Sequence, residues 1–102
     1  MALYRLTQRA RRDLLATWRY IAEDSEVYAD RFIDRLMQSI QILGENPYIG
    51  RKRDADLRSG LYSFSVEKYV IVYRIEGEST VVILHVLHGH RDLPTLLAPR
   101  KG

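Results

Sequence analysis

His88, His90, Arg91 and Asp92 fall within five residues at the end of a strand-like run, V-L-H-G-H-R-D. Polar side chains at the end of a rigid strand are common places for sites. A histidine there can exchange a proton near neutral pH, and an arginine can clamp a phosphate. His88 and His90 alternate and would point the same way, which raises metal binding as an option. Two histidines with no acidic third ligand at a defined spacing fall short of a metal site, so neither metal nor cofactor is expected. The competing reading is a polar strand terminus closed by an Arg91–Asp92 pair. His85 lies inside the strand pattern and reads as structural.

Other charged and aromatic residues extend the possibilities. Arg51-Lys52-Arg53 with Arg58 forms a basic loop that could meet a nucleic-acid backbone. Asp54 and Asp56 interrupt it, which favours a solvated loop. Arg74 follows the central strand, where an ion pair with Glu76 or Glu78 competes with an anionic target. Tyr62, Phe64, Tyr69 and Tyr73 fit a sheet core as well as a platform for bases. Direct nucleic-acid binding by the chain alone is therefore not expected. Trp18, Tyr20 and Tyr28 are more aromatic area than a small two-layer core needs. Any exposed remainder is a candidate partner site.

These residues need elements to position them. Leu3 to Leu6 reads as a short strand, and Thr7 as the N-cap of a helix to about Asp24. Ala10, Leu14, Trp18 and Ile21 make its apolar stripe, widened by Leu15 and Ala22. Ser25 opens a second helix from Glu26 to about Leu43, with Phe32, Leu36, Ile40 and Leu43 as its stripe. Gly44 suits the left-handed position past a helix end, and Pro47 prevents continuation. The short link predicts an antiparallel hairpin, and a sheet must bury its stripes. Tyr48 to Gly60 reads as an exposed connection. Leu61–Val66 alternates like a half-buried strand, and Glu67-Lys68 is a tight turn. Tyr69–Ile75 is nearly all β-branched or aromatic and predicts a central strand. Glu76-Gly77-Glu78 is a hairpin turn, and Ser79–Leu87 is the last strand.

The chain has 102 residues, 46% hydrophobic, which suits one domain with one modest core over 1–102. A loosely held tail is expected from about 95 to 102. There is no cysteine, so disulfides and thiolate metal sites are excluded. No run approaches a membrane span and the N-terminus has no apolar signal core, which predicts a soluble cytoplasmic protein. The net charge is only +3, carried mostly by arginine rather than lysine, and arginine pairs well with carboxylate or phosphate.

The ordered set of two helices, N-P-x-x-G, L-R-S-G, a strand ending V-x-Y-R and a strand ending V-L-H-G-H-R-D resembles the ParE/RelE superfamily of bacterial type II toxins. The resemblance runs from Tyr4 to Pro94 and is stronger to the ParE branch. It implies an α+β fold, β-α-α-β-β-β, with the hairpin packed on a small, mainly antiparallel sheet. It also implies a cognate antitoxin, ribbon-helix-helix and ParD-like, whose C-terminal segment wraps the toxin. Trp18, Tyr20 and Tyr28 are the expected antitoxin anchors.

The two branches differ in target. RelE-like members are ribosome-dependent mRNA endoribonucleases, whereas ParE-like members inhibit DNA gyrase and block replication. In an approximate alignment, the sheet arginine, the basic residue after the last strand and the C-terminal tyrosine of the ribonuclease pattern fall at Ser65, Gly89 and Thr95, which removes most of the catalytic set. Cleavage needs groups that activate the 2′-hydroxyl and stabilise the charged phosphorane. A binding poison of gyrase is preferred, with His88, His90, Arg91 and Asp92 as the target-facing residues. The alternative is an endoribonuclease using His88 or His90 as acid/base and Arg58, Arg74 and Arg91 on phosphate.

Overall fold

A computed structural model of the chain describes residues 3–55 and 59–92. Arg58 and the tail expected from about 95 lie outside the described residues. Strand β1, Tyr4–Leu6, leads at once into helix α1, Gln8–Ala22. Thr7 joins them. Its hydroxyl accepts from the Ala10 amide at 3.1 Å and donates to the Ile83 carbonyl at 2.8 Å. One side chain thus satisfies a free amide of the first turn and pins the helix start to the sheet.

Helix α2, Glu26–Glu45, opens on Ser25, whose hydroxyl accepts from the Tyr28 amide. It runs two residues beyond the predicted end. Gly44 is helical, because its bare Cα faces β1: an added Cβ would lie 3.4 Å from the Leu3 carbonyl carbon and from the Tyr4 ring. Its place is inside the helix, against β1, rather than at a left-handed turn.

The sheet has five strands in the order β1-β5-β4-β3-β2. Here β2 is Arg51–Lys52, β3 Leu61–Val66, β4 Tyr69–Glu76 and β5 Thr80–His88. β1 runs parallel to β5, and the other pairs are antiparallel. The short edge strand β2 corrects the expectation of an irregular exposed connection. Within that segment Arg53 is buried, with Nη1 3.0 Å from the Ser63 hydroxyl. As expected, β4 is central and its first five residues are buried.

The helices cover one face of the sheet. Phe32, Leu36, Ile40 and Leu43 of α2 meet Tyr69, Ile71 and Tyr73 of β4 and Val81, Ile83 and Val86 of β5. Full burial of each of these aliphatic side chains contributes about 1.5–3 kcal/mol. On α1 the fully enclosed residues are Ala10 and Thr17, with Leu14 and Ile21 packed beside them. Trp18, expected on this stripe, is only half-buried, and its indole N–H donates to Asp30 on α2 at 2.8 Å.

Tyr73 explains the N-P-x-x-G segment. Its buried hydroxyl donates to the Pro47 carbonyl at 2.8 Å and accepts from the Gly50 amide at 3.0 Å. Burial raises its pKa, so it stays a neutral donor.

Candidate functional site at the hairpin tip and the end of the last strand

The segment 88–92 closes on itself. The Asp92 carboxylate accepts from the His88 amide at 3.0 Å, and the Asp92 amide donates to the His88 carbonyl at 2.8 Å. His88 Nδ1 accepts from the Arg91 amide at 3.1 Å, which leaves Nε2 as the ring atom for any outside partner. Gly89 donates to the Lys68 carbonyl at 2.8 Å, tying the segment to the β3–β4 turn. That turn is tight because Glu67 takes a positive φ of 54°.

Arg91 spans both ends of Asp92, with Nε and Nη2 at 3.2 and 3.3 Å from the two carboxylate oxygens. This bond, helped by the His88 amide, holds the Asp92 carboxyl below the usual aspartate range, and it raises the Arg91 pKa in turn. The guanidinium carbon also lies 4.7 Å from the centre of the Tyr20 ring on α1. Arg91 is thus held by a charge on one side and a π-face on the other.

Register places aromatic residues beside this cluster. Tyr69 opens β4 directly opposite His88, and the two rings meet edge to face at 5.2 Å. Phe32 packs on Tyr69 at 5.2 Å, and Tyr28 stacks on Phe32 at 6.3 Å. Together Tyr20, Tyr28, Phe32, Lys68, Tyr69 and His88 line an open groove of about 460 Å³. Tyr20 and Tyr28 are 55% and 49% exposed, so its outer wall is both aromatic and accessible.

The structure therefore brings together two sets of residues that the sequence kept apart. His88, Arg91, Tyr20 and Tyr28 belong to one surface, and His90 adjoins it, 6.3 Å ring to ring from His88. Trp18 does not line the groove. Arg74 stands apart. It pairs with Leu61 and Val82 and is bound to Glu76. It lies five positions along β4 from Tyr69, which puts it about 17 Å from the His88 end of the sheet. His85 lies within β5, with Nδ1 3.8 Å from an Asp13 oxygen that also accepts from the Val86 amide. Among the described residues, no group of three or more His, Asp or Glu could hold a metal ion.

Tyr69, Phe32 and Lys68 were not anticipated as site residues. Pairing outward from the Gly77 turn points Tyr69 at Leu87, one short of its partner. A bulge between Val72 and Tyr73 shifts the register onto His88.

Residues 4–93 match the family described as ParE toxin of type II toxin-antitoxin system, parDE. Toxin ParE3 of Caulobacter vibrioides is 36% identical over 89 residues, covering 86% of this chain and 87% of that protein. Toxin RelE3 of the same organism is 32% identical over 84 residues, covering 82% and 90%. Two solved structures share the fold. The chromosomal ParDE toxin–antitoxin system from P. aeruginosa aligns with a TM-score of 0.70 at 18% identity, covering 83% of this chain and 92% of that one. The toxin–antitoxin complex RelBE2 from Mycobacterium tuberculosis aligns with a TM-score of 0.64 at 28% identity, covering 83% and 94%.

Proposed function

The chain belongs to the ParE toxin family of type II toxin–antitoxin systems, and from that premise we propose that it acts by binding and inhibiting DNA gyrase. The observation that carries this reading is the separation of Arg74 from the strand end. A nuclease must set a proton-transfer group and a phosphate clamp on one scissile bond, within hydrogen-bond reach. His88 and Arg74 stand about 17 Å apart along the sheet, and Arg74 is occupied by Glu76. Arg91 is already bound to Asp92. A preformed turn with an aromatic groove beside it suits recognition of a protein surface better than bond cleavage. Its target-facing residues are His88, His90, Arg91 and Asp92.

The second partner in this proposal is a cognate antitoxin of ParD type. Both solved relatives belong to toxin–antitoxin assemblies, and Tyr20 and Tyr28 offer exposed aromatic anchors. The test is induction in growing cells, with plasmid topology and transcript ends followed together. Relaxed plasmid with intact transcripts supports gyrase inhibition. Codon-phased transcript cleavage with normal supercoiling supports the RelE-like alternative and overturns the proposal.

A further inference from the structure

We infer that Tyr20 is a positioning residue: its ring carries the Arg91 guanidinium and fixes the strand end against α1 in the form that meets the target. The inference rests on the reading that Arg91 faces the target. The contact joins residues 71 positions apart, and hydrogen bonds do not explain it. The Arg91 side chain already has a bidentate partner in Asp92, and Gly89 ties the turn to the Lys68 carbonyl, so these hydrogen bonds hold the turn to itself and to the sheet end but not to α1. The Tyr20 ring, 4.7 Å from Cζ, adds the tie from the sheet end to the helix hairpin.

Three features favour positioning over general packing. Tyr20 is 55% exposed, so its ring contributes little to the core. Two polar groups of the turn, the His88 and Asp92 amides, are satisfied within the turn itself, so Tyr20 is not needed to fold it. The ring also lines the aromatic groove.

Ring and cation chemistry make the test specific. Tyr20→Phe and Tyr20→Trp keep a π-face, whereas Tyr20→Leu keeps apolar bulk alone. In the protein labelled with nitrogen-15, the Arg91 Nε–H proton should show a ring-current shift in the wild type and in Tyr20→Phe, and lose it in Tyr20→Leu. On induction, Tyr20→Leu should need roughly two- to fivefold more inducer for the same growth arrest, the factor available from an exposed cation–π contact. Its melting temperature should be unchanged. In an Arg91→Ala background, Tyr20→Leu should have no further effect on arrest.

An Arg91 resonance that is the same in wild type and Tyr20→Leu overturns the inference. So does full toxicity of Tyr20→Leu, or an equal loss with and without Arg91. Growth arrest is scored whatever the target is. Failure to inhibit gyrase would therefore remove the proposed function without deciding Tyr20, and an unchanged Arg91 resonance would remove the role of Tyr20 without touching gyrase.

Discussion

Arg91 is the residue on which the candidate site turns, because it joins Asp92, the strand end and the hairpin. It is also accessible, with 46% of its side chain exposed. Surface substitutions usually change stability by no more than about 0.5 kcal/mol, and an exposed ion pair adds at most about 1 kcal/mol. Arg91→Ala should therefore weaken growth arrest, so that more inducer is needed to reach it, while its melting temperature and antitoxin binding stay close to wild type. Full toxicity in a well-folded variant would remove Arg91 from the site. Lost toxicity with a collapsed melting temperature would make Arg91 a structural clasp. Asp92 gives a second residue-level prediction. Its carboxyl is held low chiefly by Arg91, so the charged form favours the closed turn. That contribution is complete above the ordinary aspartate pKa and is lost as the pH falls through the lowered one. The His88 amide resonance, which reports the Asp92 bond, should move only below the range where a free aspartate titrates. Movement within the ordinary range would show that the turn is open.

At the scale of elements, the helix hairpin and the N-P-x-x-G turn are both held by close approach. At Gly50 an added Cβ would overlap the Tyr73 hydroxyl and lie 2.9 Å from the Ser63 carbonyl oxygen. Gly50→Ala should destabilise the fold by about 1–3 kcal/mol, as overpacking does elsewhere, measured by urea unfolding. An unchanged midpoint would mean that the turn shifts freely and that Tyr73 does not lock it. Much of the element plan was legible because it rests on local chemistry. Thr7 and Ser25 cap where their types predict, and the β-branched run of β4 is central. What was not legible depends on partners distant in sequence. Gly44 reads locally as a helix end, yet β1 packs on it and the helix continues. Arg51 and Lys52 look like a loop because a two-residue strand has no periodicity of its own; only pairing with Tyr62 and Ser63 makes it one. The site divides in the same way. His88 to Asp92 announce themselves by type and spacing, whereas their meeting with Tyr20 and Tyr69 depends on the bulged register of β4 and β5 and on the docking of α1.

On the scale of the whole molecule, the hairpin has two jobs. Its inner stripe builds the core, so Leu36, Ile40 and Leu43 are not available to a partner. Its tip remains open, where Tyr20, Val27 and Tyr28 are exposed. Tyr28→Ala should weaken antitoxin binding by about 1–3 kcal/mol if Tyr28 is an anchor, read by calorimetry against an unchanged fold. Unaltered affinity would move the antitoxin to another surface. Among the described residues, Arg5 and Arg74 pair with Glu76 at one end of the sheet, while Arg35 of α2 pairs with Glu67 and Arg91 with Asp92 at the other. The proposed function is inhibition of gyrase without RNA cleavage. Its most direct measurement is ATP-driven supercoiling of relaxed plasmid by purified gyrase, titrated with this protein beside a primer-extension reaction on translated mRNA. The account predicts a dose-dependent loss of supercoiling with intact message, reversed when the antitoxin is added. Undiminished supercoiling at saturating toxin, with codon-phased cuts in the message, would contradict it.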